Sequence, residues 1–360
     1  MLDVAPTPVR AARGGPPRRT GRTPLVVGVL VVVLLASLTA GVALGQSPLG
    51  VGTSLRMLWA SLTGGFVPSA EAGAHAIVWE LRLPRALLAA VVGAGLATVG
   101  VAVQAFVRNP LADPFVLGVS HGAAVGAVAV VLFGGAVVGI SAISGGAVVT
   151  GLAATAIVYV VAAGRGRLTP LRLVLVGSVL GHGFAAVTTV LVFLSPTSDA
   201  ARSVLFWLFG SLAGASWDSL PAAAAVVLAG MALLAVRARA LNAISLGDDA
   251  ATTLGISPHR LRRELFGVSA VLVGAMVAVS GAVGFVGLVL PHLTRMIVGA
   301  DHRRVMAVAP LMGAAFLVWV DVAARVLAAP RELPIGVLTA AVGVPVFLVL
   351  LRRGRLGAAE

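Results

Sequence analysis

Apolar runs of about 20 residues recur along this chain from Leu25 to its C-terminal end. A helix needs a run of about that length to cross the hydrocarbon core of a bilayer. Inside lipid no water is at hand for stray backbone N–H and C=O groups, so such runs fold as helices that bond their own backbone. The composition agrees: 59% of the residues are apolar and 11% are charged, against roughly 25% charged in soluble domains. The expected fold class is an all-α polytopic membrane protein.

Ten spans are expected, near residues 25–44, 85–106, 114–134, 137–163, 171–194, 219–237, 264–283, 285–299, 304–328 and 335–351. A short helix near 203–213 is expected at the surface. Residues 1–23, rich in Pro, Gly and Arg, read as a disordered cytoplasmic tail, and residues 24–352 as a single transmembrane domain. Ala43 and Gly45 would suit a signal peptidase, but the first apolar run is too long for a signal peptide and further spans follow it, so it reads as an uncleaved anchor.

The basic residues test this layout. The net charge is +13, from 26 basic and 13 acidic residues. With the N-terminus inside, the outer segments hold only Arg56, Arg82, Arg85, Arg202, Arg325 and Arg331, and the other 20 arginines lie inside. That asymmetry is the positive-inside pattern, with both termini cytoplasmic. Because the charges sit in short segments between apolar runs, topology accounts for them, and no nucleic-acid partner is called for.

An internal repeat is visible. Val92-Gly93-Ala94, then Ala97 and Gly100, return at a constant offset of 181 residues as Val273-Gly274-Ala275, then Ala278 and Gly281. The two copies would cross the membrane in opposite directions, the inverted repeat of transporter folds, with halves at about 81–200 and 262–352. Gly93 and Ala97, Gly177 and Gly181, and Gly274 and Ala278 also stand four apart, a spacing that lets helix backbones approach closely.

Absences narrow the chemistry. There is no cysteine, and every basic residue is an arginine. A P-loop needs a lysine to reach the nucleotide phosphates, so this chain has no Walker A site and any ATP-driven work belongs to another polypeptide. The six histidines show no metal-ligand spacing and join no carboxylate cluster. No hydrolase motif is present. The chain reads as no enzyme, with no cofactor or metal of its own.

Three polar features remain. In Arg108-Asn109-Pro110-Leu111-Ala112-Asp113-Pro114, two prolines end one helix and prepare the next, and Asn109 can bond backbone near Pro110. Gln104, one turn earlier, needs a partner at membrane depth; structural satisfaction and a pathway-lining role both fit it. From Leu246 to Gly255 a short helix is expected, with Asp248 and Asp249 at its start, Gly255 past its end and Pro258 opening the next helix. This capped protrusion lies within a cytoplasmic segment, 241–263. On the outer face, Arg82 and Arg85 flank Pro84, and Arg325 stands four residues from Asp321. Arginine forks bind carboxylates two-pronged, which suits docking; snorkelling to the interface and an Arg325–Asp321 pair fit as well.

Four blocks taken together resemble the FecCD-type permeases of ABC importers: LRLPR with RNPLADPFVLGVSHGA within Leu81–Gly126, Leu246–Gly255, GAVGFVGLVLPHLTR at Gly281–Arg295, and DVAARVLAAPRELPIGVLTAAVGVPVF at Asp321–Phe347. They lie in order across about 270 residues. The Arg-rich tail and the lack of lysine depart from familiar members but touch no matched motif. The resemblance implies a type II ABC importer permease of the bacterial inner membrane. It also implies a second permease subunit, identical or paralogous, around a central pathway. Two ATP-binding subunits carrying ATP-Mg and an extracytoplasmic substrate-binding protein complete the assembly. It places docking on Arg82, Arg85 and Arg325. The coupling contact falls on Leu246, Gly247, Asp248, Asp249, Ala251, Leu254 and Gly255. Gln104, Asn109, Pro110, Gly281 and Pro291 serve as pathway or structural residues. Ferric siderophore is the first expectation for cargo, with haem and cobalamin as alternatives. An ion-coupled transporter would instead need intramembrane relays, for which Asp321 is the candidate.

Overall fold

The apolar runs become helices in a computed structural model that describes residues 22–352 apart from 48, 135–139, 165–167 and 196. Most of the expected tail lies outside the described residues. Fifteen α-helices follow one another: α1 (Thr23–Ala43), α2 (Val51–Thr63), α3 (Ala72–Ala76), α4 (Leu83–Val107), α5 (Val119–Phe133), α6 (Ile140–Ala163), α7 (Pro170–Phe193), α8 (Ser198–Leu208), α9 (Leu220–Val236), α10 (Ala238–Ser245), α11 (Asp248–Thr253), α12 (Pro258–Ser280), α13 (Val286–Val298), α14 (His302–Val326) and α15 (Ile335–Arg352). No strand occurs among the described residues.

Seven helical segments are long and apolar enough to cross a membrane, and α9 with α10, bent by 57° at Arg237, makes an eighth. The other two expected spans are the shorter apolar helices α5 and α13. α13 has 13 residues, a rise of roughly 20 Å at 1.5 Å per residue. A non-helical stretch, Gly281 to Phe285, precedes it. α13 alone is shorter than a hydrocarbon core of about 30 Å.

α4 is the axis of the bundle. Of the apolar window in its segment 78% is buried, against 22% for each of α7 and α15 and 17% for α1. Lipid is as apolar as leucine, so burial from water does not drive this arrangement; close packing does. A Cβ on Gly93 would overlap the Gly313 carbonyl of α14, and one on Gly100 would overlap the Gly287 carbonyl of α13. Backbone meets backbone at both places. α4 and α12, which carry the two repeat copies, run in opposite directions, as an inverted repeat requires.

Two local expectations shift. The surface helix expected near 203–213 is α8, ending at Leu208, because Gly210 turns left-handed (φ 81°) and the Ser211 N–H leaves to bond the Ser280 carbonyl at 2.9 Å. The span expected from 264 and the helix opened by Pro258 are one helix, α12. α2 and the helical lead-in from Ser69 to Arg82, which joins α4 without a break, were not anticipated.

Candidate transport and coupling sites

At the end of the bundle where α2 lies, three arginines and two carboxylates form one network. The Arg82 Nη1 donates to the carbonyls of Val42 and Ala43 at 3.0 Å each and to Ser54 Oγ at 3.2 Å; its Nη2 donates to Ser47 O and Oγ. Arg325 donates to the Gly41 and Leu44 carbonyls at 2.9 and 2.8 Å. The last carbonyls of a helix have no partner within it, and here two arginines from other helices supply them for α1. Asp321, 1% exposed, accepts from Arg85 Nε at 2.8 Å and Arg325 Nε at 3.0 Å. The outer prongs of Arg85 hold Glu332 two-pronged, at 3.0 Å each. All three arginines are at least 91% buried, so none presents a free fork outward in this conformation. Each oxygen of Asp321 is engaged by an arginine.

Between α12 and α13 the chain breaks helix. Gly281 adopts φ 64° and ψ −164°, a conformation open essentially to glycine alone, and a Cβ there would overlap the Trp207 carbonyl. Phe285 enters α13 from a left-handed φ of 67°. The Phe209 and Gly210 carbonyls accept from the Gly336 and Ile335 N–H groups that open α15, at 2.9 and 3.0 Å. Irregular backbone within a membrane bundle is tolerated where protein rather than lipid surrounds it.

The far end carries the protrusion. Gly247 (φ 115°) leads into α11, whose first turn holds Asp248 and Asp249. The Gly255 N–H bonds Thr252 O and the Ile256 N–H bonds Ala251 O, each at 2.9 Å, and Gly255 is left-handed (φ 77°). This is the paired bonding of a Schellman stop, with glycine where the backbone demands it. Leu246 and Leu254 are 75% and 63% exposed, while Ala251 is fully buried. Asp248 receives both Nη atoms of Arg262 at 2.9 and 2.5 Å. Arg262, 3% exposed, also reaches the Phe106 carbonyl of α4 at 3.4 Å. Arg108, left-handed at the end of α4 (φ 55°), stands 3.7 Å from Asp248.

Beside it Gln104 resolves a problem set by Pro291. A proline inside a helix has no N–H, so the carbonyl four residues back loses its partner. Here that carbonyl is Gly287 O, and Gln104 Nε2 donates to it at 3.2 Å and to Leu288 O at 3.1 Å. Gln104 Oε1 accepts from Arg295 at 2.6 Å. Asn109 closes the turn ahead of Pro110 by accepting the Leu111 N–H on Oδ1 at 2.9 Å. Gln104, Asn109 and Pro110 also line a cavity at this end.

The profile of the FecCD transport family matches residues 23–353. The chain belongs to the FecCD transport family. It is 42% identical to a cobalamin import system permease protein of Halobacterium salinarum over 78% of this chain and 74% of that one. It is 41% identical to a hemin transport system permease protein of Yersinia pestis over 77% and 84%. A solved ABC transporter of metal-chelate type, in an inward-facing conformation, superposes with a TM-score of 0.79 at 32% identity, over 92% of this chain and 99% of that chain. This FecCD chain is an ABC importer permease.

Within this family member the predicted residues fall into three separate places: Arg82, Arg85 and Arg325 together at one end, Gly281 at the break between α12 and α13, and Leu246 to Gly255 with Gln104, Asn109, Pro110 and Pro291 at the other end. Sequence reasoning missed Arg262 and Glu332. Arg262 sits in the run Arg260-Leu-Arg-Arg-Glu264, where only the helical phase, which turns it inward beside Leu261 and Leu265, separates it from its exposed neighbours. His121 and His182 were also passed over; both are exposed on apolar helices, α5 and α7. Among the described residues no three His, Asp or Glu side chains gather as a metal site requires.

Proposed function

We propose that this chain is the membrane gate of an importer for a metal chelate, with a ferric siderophore as cargo, driven by a separate ATPase carrying ATP-Mg. The observation that carries the reading is the capped α11 protrusion, which exposes Leu246 and Leu254 outward and is tied by Asp248 and Arg262 to the end of the central helix α4. Force on α11 therefore reaches the most buried helix of the bundle without passing through a flexible loop. In this reading the α11 end faces the cytoplasm, in agreement with the excess of arginine there.

A second permease subunit, a copy or a paralogue, covers α7 and α15. Support comes from their low burial and from His182 and Thr189 on the open face of α7. Polar groups are costly against lipid and suit a watery pathway between two subunits. The extracytoplasmic binding protein meets the α2 end. Because Arg85 is already filled by Glu332, an incoming carboxylate would take the place of Glu332 on that fork. The names of the relatives, for cobalamin, hemin and metal chelates, support a chelated metal as cargo.

The test uses the permease with its ATPase and binding protein in vesicles. Leu254→Asp should leave insertion intact while ATP-driven ferric-siderophore uptake falls at least about tenfold, the effect of losing an apolar contact worth about 1.4 kcal/mol or more. Mass spectrometry of ligand on the cognate binding protein should find a ferric siderophore; haem or cobalamin there would reassign the cargo. Uphill uptake by the permease alone would instead favour an ion-coupled carrier.

A further inference from the structure

The polarity of α2 is reversed for a helix bordered by water. Its hydroxyls turn inward: Ser54 Oγ accepts from Arg82 at 3.2 Å, and Ser61 Oγ bonds His75 Nε2 at 2.8 Å. Val51, Leu55, Trp59 and Leu62, spaced four, four and three apart, turn outward as one stripe. Phe66 stands exposed just past the left-handed Gly64 that stops the helix. Trp59 is 70% exposed and Phe66 89%. A surface helix ordinarily hides its apolar face and shows its polar one, and contiguous exposed apolar side chains mark an interaction surface. Arg56, paired with Glu71 at 2.7 Å, and Thr63 stand on the exposed strip next to the apolar one.

The level of α2 decides what covers this stripe. α1 follows Arg22 and has 21 residues, a rise of roughly 32 Å. That length matches a hydrocarbon core of about 30 Å, so the last turn of α1 lies at the border of the core. α2 is fastened to that turn. Met57 packs with Val42 in one buried cluster that also holds Val78 and Ala86, and Arg82 ties Ser54 to the Val42 and Ala43 carbonyls. Beside Val78, Trp79 packs on Trp217 with ring centroids 5.1 Å apart. Tryptophan gathers where hydrocarbon meets water. α1, on which α2 packs, exposes Leu25, Val32 and Leu35 along its own span, so the neighbour of α2 is a lipid-facing helix. The second permease subunit belongs on α7 and α15, not on α1.

We propose that α2 is an interfacial helix, lying along the bilayer surface with its apolar stripe and Phe66 sunk among the lipids. Its partner is the lipid surface itself. Trp, Phe and Leu on one side with arginine beside them is the composition of helices that seat about 5–10 Å into that boundary. Because Ser54 is also a ligand of Arg82, the seated helix holds one side of the arginine network at the end of the bundle.

The chain has no cysteine, so single cysteines can carry a nitroxide label. The full chain, in nanodiscs of phosphatidylcholine and phosphatidylglycerol, is labelled in turn through Leu55→Cys, Trp59→Cys, Leu62→Cys, Arg56→Cys and Thr63→Cys. Collision with oxygen, which concentrates in lipid, is compared with collision with a water-soluble nickel chelate. The oxygen-to-nickel ratio should be at least about threefold higher at positions 55, 59 and 62 than at 56 and 63, as one immersed face requires. Adding the binding protein should leave the ratios unchanged. Equal ratios at all five positions, with nickel reaching the stripe freely, overturn the proposal, since the stripe then faces water. Shielding from both reagents in the discs also overturns it and assigns the stripe to a second copy. Shielding that appears only with the binding protein overturns it in favour of that partner. Lipid brominated near its headgroup gives a second measurement without labels. It should quench the native tryptophan emission, and Trp59→Phe should remove part of that quenching; undiminished quenching in Trp59→Phe counts against the immersed helix.

Discussion

Asp248, the first residue of α11, is held by both terminal nitrogens of Arg262 at 2.9 and 2.5 Å, and Arg262 reaches past it to the Phe106 carbonyl on α4. The aspartate is 45% exposed in its side chain and the arginine 3%, so the pair is a surface group clamped by a buried one. Planarity matters here, because only a guanidinium meets both carboxylate oxygens at once.

Asp248→Ala should therefore cost more than a surface pair would, because it leaves the buried Arg262 with one long bond. Charge-assisted bonds of this kind contribute about 1.5–3 kcal/mol. The variant should insert normally, yet hydrolyse more ATP per chelate imported, by at least about twofold given the lost rigidity. Arg262→Lys, which keeps the charge but not the fork, should fall between the native chain and Asp248→Ala. Hydrolysis and uptake measured in the same vesicles check this. A native ratio in Asp248→Ala would remove the link from the mechanism.

Asp321 makes the opposite kind of pair, buried on both sides. Removing one member of a buried ionic group while the other stays behind costs about 3–5 kcal/mol. Asp321→Asn should lower the melting temperature in detergent sharply, since Arg325 loses its carboxylate partner and Arg85 keeps only Glu332. Arg325→Met in the Asp321→Asn background should recover part of that loss, with the two changes failing to add. A simple sum of the two single effects would mean that Asp321 and Arg325 act separately.

Helix spacing gives a prediction with an internal control. Gly100→Ala drives a methyl into the Gly287 backbone, whereas Gly267→Ala on α12 meets nothing within 4 Å. The first should destabilise by about 1–3 kcal/mol, the typical range for overpacking. The second should be neutral or stabilise by up to about 1 kcal/mol through helix propensity. Thermal unfolding of both variants in the same detergent compares them, and equal behaviour would dissolve the account of α4 as a close-packed axis.

What could be read in the sequence was what local chemistry decides. Run length located the helices, and α13 followed from its run even at 13 residues. The caps of α11 were legible because aspartate, glycine and proline act within a few positions of themselves. α2 was not legible: its 13 residues include Arg56 and four hydroxyl side chains, too short and too polar for a run-length signal. Nor could the fate of the arginines be read. Arg85 meets partners 236 and 247 positions away, and Arg82 finds the end of α1 about 40 positions back. The residue type told what these arginines could hold; only the packing told whether a carboxylate, a carbonyl or nothing stood opposite.

The Gln104–Pro291 relationship makes the last prediction, and it is a cycle. Gln104→Leu should leave the Gly287 carbonyl and one Arg295 donor unsatisfied, at about 1–3 kcal/mol for a stranded buried group. Pro291→Ala restores an N–H four residues after Gly287, which can take that carbonyl back into the helix. In the Pro291→Ala background Gln104→Leu should then cost less, with a coupling of about 1 kcal/mol between the two positions. Unfolding measured for the native chain, both single variants and the double variant gives the coupling directly. A value near zero would show that Gln104 is there for Arg295 rather than for the gap the proline opens.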